Sequence, residues 1–352
     1  MESKKFLFFL VITLILSFTN FPAIAQEVIK LKFSTGYPPP PDLTAVDHVW
    51  FMDEVKKRTK GRVTFDVFWG GALGKPLEHI DMIKRGVADI GRVPLLFHPD
   101  RAPLWAYEFA FPFAPGDPED IAKVWWKLHD EFPIIQKQLE KDNQIALQVT
   151  LIDDYHLLSR VPLKTLADLK GKLVGASGIY FPKQLEVVGS KAHISPMGER
   201  YMQLKLGTID ANHGPIEYIR GFKLFEVGKH LLITNIGAWA SGAVTMNLDA
   251  WKKIPPDIQK VFGEVGKEAG VVHGKRLKEE REKDIKFLKE QGVTFYTLSE
   301  AEKEKWASMV PDLPGILVKD LEGKGFPAGK YLKRWYEEHK KLGHKWYYTP
   351  TW

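Results

Sequence analysis

The chain has 352 residues, with 50 Lys and Arg against 44 Asp and Glu, a formal charge of +6, 11 His and no Cys. Without cysteine it has no disulfide framework, no thiol nucleophile and no thiolate metal site. Its basic residues are interspersed with acidic ones along the whole length, the pattern of an ordinary solvated surface, which argues against nucleic acid as a partner.

The first 25 residues have the layout of a cleaved secretory signal: Lys4 and Lys5 precede an apolar run from Phe6 to Phe18 that ends at Ala23-Ile24-Ala25. The run is about 13 residues, short of the ~20 that cross a bilayer. No cysteine at the cleavage point can carry a lipid, so we expect a chain free in the periplasm, with no direct membrane insertion. Removing residues 1–25 takes away two lysines and one glutamate and leaves 327 residues with a charge of +5. That length exceeds the ~100–200 residues of one domain and predicts two lobes, hence a cleft.

Ile29, Leu31 and Phe33 alternate with Lys30 and Lys32, the period of a strand, until the prolines at 38–41 break the chain before Asp42, which reads as a helix N-cap. Leu43, Val46, Trp50 and Val55 then recur at helical spacing up to Gly61. Val63, Phe65 and Val67 alternate with polar residues as a second strand, closed by Gly70-Gly71. Leu77, Ile80 and Ile83 suggest another helix ending at Gly86, and Val87-Ala88-Asp89-Ile90 a third strand. The order βαβαβ predicts parallel strands in a doubly wound lobe, with ligands held outside the strands' carboxyl ends. That points to the loops at 36–42, 69–76 and 91–95.

Residues 144–151 read as a further strand, and Asp168 to Gly175 as a helix end, a glycine and a strand. Between Pro255 and Gln291 the only internal proline is Pro256, at the start, and apolar residues recur from Ile258 to Leu288. At 1.5 Å per residue such a helix exceeds ~50 Å and can run behind both lobes as a strut. These features divide the mature chain into lobe I, 26–150 plus 236–272, and lobe II, 151–235 plus 273–352. The aromatic C-terminus, from Tyr331 to Trp352, is expected to pack on a lobe.

No H-E-x-x-H pair and no Walker loop is present. Gly70-Gly71-Ala72-Leu73-Gly74 lacks dinucleotide-binding spacing, and Gly175-Ala176-Ser177-Gly178 is not a nucleophile elbow. We expect no cofactor and a binding protein. The enzyme alternative is a periplasmic hydrolase or lyase using Asp153 or Asp154 with His213 as an acid and base pair.

Several segments, in order, resemble the extracytoplasmic solute receptors of TRAP transporters, of the DctP type. They are Thr59-Lys60-Gly61-Arg62-Val63 into Gly71-Ala72-Leu73-Gly74, Gly86-Val87-Ala88-Asp89-Ile90, Thr165 to Gly171, Tyr201 to Gly207 into Ile209-Asp210, and Met246-Asn247 with Trp251. The resemblance implies an α/β, two-lobed periplasmic binding protein fold of type II character, with a long helix spanning both lobes. It also implies a monomeric receptor that closes on one small organic solute and delivers it to TRAP permease membrane subunits; a ligand sensor for a signalling partner is the variant reading.

Most such receptors bind carboxylates through an arginine whose position falls here on Val174-Gly175. A second arginine position falls on Asp153-Asp154, and an asparagine position on Gly214 beside His213. The expected cleft residues are Tyr37, Trp69, Arg92, Asp153, Asp154, Gly175, Met197, His213 and Trp239. Arg92 would supply an anion contact, Arg160 less readily; Tyr37, Trp69 and Trp239 would stack on a flat solute, and Met197 would pack on it. Asp153 and Asp154 would accept from a hydroxyl, an amine or a cation, with Asp154 the one candidate metal ligand, joined by His213. Each residue also has a plain structural reading, as core filler, turn cap or surface ion pair. The expected solute is a small aromatic or hydroxylated organic acid, and the absent arginine leaves neutral or amine-bearing solutes open.

Overall fold

The computed structural model describes residues 28–350 apart from 41, 42, 106 and 115; the signal sequence, the Asp42 cap and Trp352 lie outside the described residues. Eleven strands are described: β1 Ile29–Ser34, β2 Val63–Phe68, β3 Ile90–Val93, β4 Gln144–Ile152, β5 Tyr155–Ser159, β6 Leu173–Ala176, β7 Lys191–Ile194, β8 Ala211–Pro215, β9 His230–Ile233, β10 Trp239–Asn247 and β11 Thr294–Thr297. They form two sheets, ordered β2-β1-β3-β10-β4 and β11-β9-β5-β8-β6-β7. β1, β2 and β3 are parallel, as the βαβαβ order implies, and β10 is inserted antiparallel between β3 and β4.

Two local differences from the sequence reading have simple causes. β3 starts at Ile90, because Gly86 to Asp89 form a turn in which Val87 N–H donates to Met82 and Asp89 N–H to Lys32. The expected helix at Leu77 begins as a 3-10 turn at Pro76–Glu78, where Glu78 accepts from Lys75 N–H at 2.9 Å, and becomes α-helical over His79–Lys84.

The chain passes from the first sheet to the second between Ile152 and Tyr155, and returns between Ile233 and Trp239. The crossings bond to each other: Tyr155 N–H donates to Gly237 at 3.1 Å and Thr234 Oγ1 to the Tyr155 carbonyl at 2.7 Å. We refer to this paired segment, which joins the two lobes, as the hinge.

Behind it runs the 35-residue helix Pro256–Glu290, which touches β4, the helices Leu43–Arg58 and Pro118–Glu131 of the first lobe, and Ile216–Gly221 of the second, before feeding β11 into the second sheet. Its close approach rests on glycines one turn apart. A Cβ on Gly270 would stand 2.8 Å from Val149 Cγ1, one on Gly274 2.5 Å from Glu119 N, and one on Gly266 would overlap the Leu147 carbonyl.

The last helix, Ala328–Lys341, packs on Pro118–Glu131. Trp335 Nε1 donates to Glu108 at 3.2 Å and the Tyr331 ring meets Tyr107 edge-on at 4.8 Å. Giving all of 273–352 to the second lobe therefore misplaces this helix, whose aromatic stripe is buried against the 107–132 segment. The tail follows it, Trp346 lying 5.3 Å from Trp335 and Tyr347 5.3 Å from Phe113.

Gly266→Ala should destabilise the protein by at least ~2 kcal/mol in urea unfolding, because the β4 backbone must move away. Exposed Gly263, with nothing within 4 Å of its Cβ position, should gain up to ~1 kcal/mol as alanine from helix propensity alone. Equal effects of the two substitutions would refute the close-packing account.

Candidate solute cleft

On the first-lobe side, the loops after β1 and β2 are tied together by Gly70 N–H donating to Tyr37 at 2.7 Å and Gly71 N–H to Thr35 at 3.0 Å. Arg92, on β3, is 7% exposed; its Nη2 donates to Ser241 Oγ at 3.1 Å, and its guanidinium lies 5.2 Å from the Tyr37 ring centroid. Nε has no partner, and no carboxylate lies within ion-pairing distance among the described residues. The Tyr37 hydroxyl is 3.1 Å from that of Tyr218, on the helix that follows β8, so the two lobes meet here.

The hinge supplies the floor. Tyr155 opens β5 and Trp239 opens β10, both almost fully buried. Tyr155 stacks on Phe181 at 4.9 Å and meets His213 at 4.9 Å and Trp239 at 5.2 Å; Trp239 stacks on Phe109 at 5.3 Å. A small apolar cavity beside these rings is lined by Leu96, Phe109 and residues 177–181.

On the second-lobe side, Gly175 of β6 pairs with Asn212 of β8. A Cβ on Gly175 would stand 2.7 Å from Nη1 and 3.0 Å from Cδ of Arg200, which crosses the strand where a side chain would otherwise lie. Arg200 is fully buried, and every acceptor it meets is neutral: Ser195 Oγ at 2.8 Å, Asn212 Oδ1 at 3.0 Å, the Ala176 carbonyl at 2.7 Å, the Ser195 carbonyl at 2.6 Å and Ser177 Oγ at 3.3 Å. Burial draws its pKa down to about 10, so it remains a cation at neutral pH. Met197 is half-buried, its Cε 3.0 Å from the Cβ position of Gly214.

The structure thus brings Tyr37, Arg92, Gly175, Met197, His213 and Trp239 around one interlobe region. Trp69 stays half-buried against the first-lobe core, and Arg160 is exposed, lying over Gly207. The two aspartates turn elsewhere. Asp153 makes a two-pronged pair with Arg281 of the long helix, with Nε at 2.6 Å from Oδ2, and accepts from Asp154 N–H at 2.8 Å. A carboxylate this buried requires a cation, and the strut supplies it. The Asp154 carboxylate packs against Gly116, and its burial, then the charge of Asp153, push its pKa up to about 7.

The expectation that these aspartates accept from a solute is therefore not met by their placement. No hydrogen bond or ion pair joins either of them to His213. Burial, then Arg200 and His156, lower the His213 pKa to about 3, so it is a neutral imidazole without a partner on either nitrogen. The acid and base pairing lacks its geometry, and no cluster of three or more His, Asp or Glu suited to a metal occurs among the described residues, so Asp154 has no ligand set around it. Sequence reasoning does not single out Arg200, Tyr155, Tyr218 or Phe109.

A family model described as bacterial extracellular solute-binding protein, family 7 (DctP) matches residues 38–313. The C4-dicarboxylate-binding periplasmic protein DctP of Rhodobacter capsulatus is 24% identical over 316 residues, 88% of this chain and 92% of that protein. The 2,3-diketo-L-gulonate-binding periplasmic protein YiaO of Escherichia coli is 31% identical over 183 residues, a match spanning about half of each, 51% of this chain and 53% of that protein. Among solved structures, a TRAP solute binding protein from Rhodoferax ferrireducens T118 in complex with copurified benzoate has a TM-score of 0.79 and 22% identity, covering 90% of this chain and 100% of that one.

Asp154 keeps a proton in the folded protein that the unfolded chain releases, so its contribution is most favourable below pH ~4 and is lost as the pH rises toward about 7. Asp154→Asn cannot ionise. Its stability relative to the parent should climb between pH 4 and 7 by an amount on the order of 3 kcal/mol in denaturant titrations. Parallel pH profiles for the two proteins would show that Asp154 is an ordinary solvated acid.

Proposed function

Because the chain belongs to the family 7 bacterial extracellular solute-binding proteins, the DctP type of TRAP receptor, we propose that it closes on a small organic acid with a flat, apolar body and delivers it to a TRAP permease. The observation that carries this reading is Arg92: a buried guanidinium without a carboxylate, one donor unpartnered, placed where Tyr37 of one lobe meets Tyr218 of the other. A buried cation is costly alone, and a solute carboxylate removes that cost through charge-assisted hydrogen bonds.

The ring cluster of Phe109, Tyr155, Phe181 and Trp239 supports an apolar or aromatic body. The names of the relatives agree in class, a C4-dicarboxylate for the Rhodobacter protein and benzoate for the Rhodoferax structure. Hinge closure of this kind gains from the solute's preference for the closed form and needs no covalent step. His213, held neutral, and Asp153, held by Arg281, favour a receptor over a hydrolase. The leader pattern at residues 1–25 supports a periplasmic location, and no helix among the described residues is long and apolar enough to cross a membrane.

Thermal unfolding against benzoate, 3-hydroxybenzoate, orotate and glucuronate, each beside its carboxamide, tests the reading. An acid at 100 times its Kd should add ~2.7 kcal/mol of stability, and its amide far less. Arg92→Gln should lower affinity for that acid at least tenfold, ~1.4 kcal/mol, while leaving the solute-free melting temperature near the parent's. Stabilisation by amines or polyols alone would overturn the proposal.

A further inference from the structure

Asn212 is fully buried on β8, and its amide is held in one orientation. Arg200 can only donate, so the oxygen of Asn212 must face it, and the amide nitrogen must face away. That nitrogen has no partner. It lies over Gly214, where a Cβ would stand 3.0 Å from both Nδ2 and Met197 Cε, so it is a buried donor without a partner beside Met197, at a spot no side chain fills. Arg200 is fixed in turn by Gly175, the only residue whose side chain does not collide with it.

We infer that Arg200 is a positioning residue for specificity: it locks Asn212 as a donor toward the cleft and biases this half of the site toward an acceptor oxygen of the solute. The inference rests on the organic-acid reading and extends it. Arg92 takes the carboxylate from the first lobe, and Asn212 takes a second acceptor, a carbonyl or a further carboxylate oxygen, from the second. A solute whose far end offers only donors, an amine above all, is excluded.

Asn212→Asp separates this role from a structural one. The new carboxylate faces Arg200 and pairs with it, so the solute-free protein should melt at or above the parent temperature. It also removes the donor and neutralises the Arg200 charge. Affinity for whichever of benzoate, 3-hydroxybenzoate, orotate or glucuronate binds the parent best should fall at least tenfold by titration calorimetry. Arg200→Gln, which frees the amide to turn over, should shrink the ratio of acid to carboxamide affinity at least threefold, a change that a loss of stability alone does not produce. An Asn212→Asp protein that binds like the parent, or that melts well below it, overturns the inference while leaving the organic-acid reading intact. No binding of any of the four acids to the parent overturns both.

Discussion

The approach of one helix to one strand organises this molecule. Gly266, Gly270 and Gly274 let Pro256–Glu290 lie directly on β4 and the start of Pro118–Glu131, closer than any side chain permits. From that seat the helix reaches both lobes through ion pairs with a buried member: its Arg276 with Asp47 in the first, beside His273, its Arg281 with Asp153 at the hinge, and its Asp284 with Arg220 of the second. An ion pair with a buried member is hard to break, because removal of one partner strands the other charge. The strut therefore braces the back of the molecule, while the two paired crossings, between Ile152 and Tyr155 and between Ile233 and Trp239, connect the lobes at the front.

The same constraint separates the charges. Asp153 and Asp154 are engaged at the back: Asp153 faces the strut, and Asp154 sits at the edge of ionisation beneath Gly116. The two buried arginines at the front, Arg92 and Arg200, face no carboxylate among the described residues. Hydroxyl, amide and carbonyl acceptors satisfy their donors in part, but neutral groups do not cancel the charge. A site with positive charge on both walls and rings on its floor favours an anion with a flat body, whatever the details of its substituents.

How much of this was legible follows from the range of each interaction. The βαβαβ opening and the long helix are written in local periodicity: the helix is found where the sequence places it, and the opening in the expected order, with its third strand shifted three residues along the chain. Arg92 could be placed in the cleft because it follows an expected strand, whereas Trp239 was placed there only through the family resemblance. Arg200 could not: its burial depends on Gly175, a strand neighbour twenty-five positions earlier, and nothing in the helix Arg200–Leu206 distinguishes it from a surface arginine. The aspartates were misread for the same reason. An acidic pair after a strand looks like a solute contact until the cation that claims it, Arg281, is brought in by the helix more than a hundred residues later. The final helix shows the converse. Its aromatic stripe was evident, but which lobe it covers was decided by Tyr107 and Glu108, residues with no local signal of their own.

Few polar contacts hold the lobes together at the front. The Tyr37 and Tyr218 hydroxyls meet at 3.1 Å, and Gln184 Nε2 donates to the Phe109 carbonyl at 3.0 Å. Each such neutral bond contributes only ~1 kcal/mol net, since water replaces it on opening. Converting a receptor from mostly open to mostly closed requires a solute that prefers the closed form by ~5.5 kcal/mol. Two or three charge-assisted bonds to a carboxylate, each roughly ~1.5–3 kcal/mol in a site shielded from water, are of that size. On the proposed reading, a weak latch over unpaired cations is thus the arrangement in which a solute, and not the resting contacts between the lobes, would decide when the receptor closes.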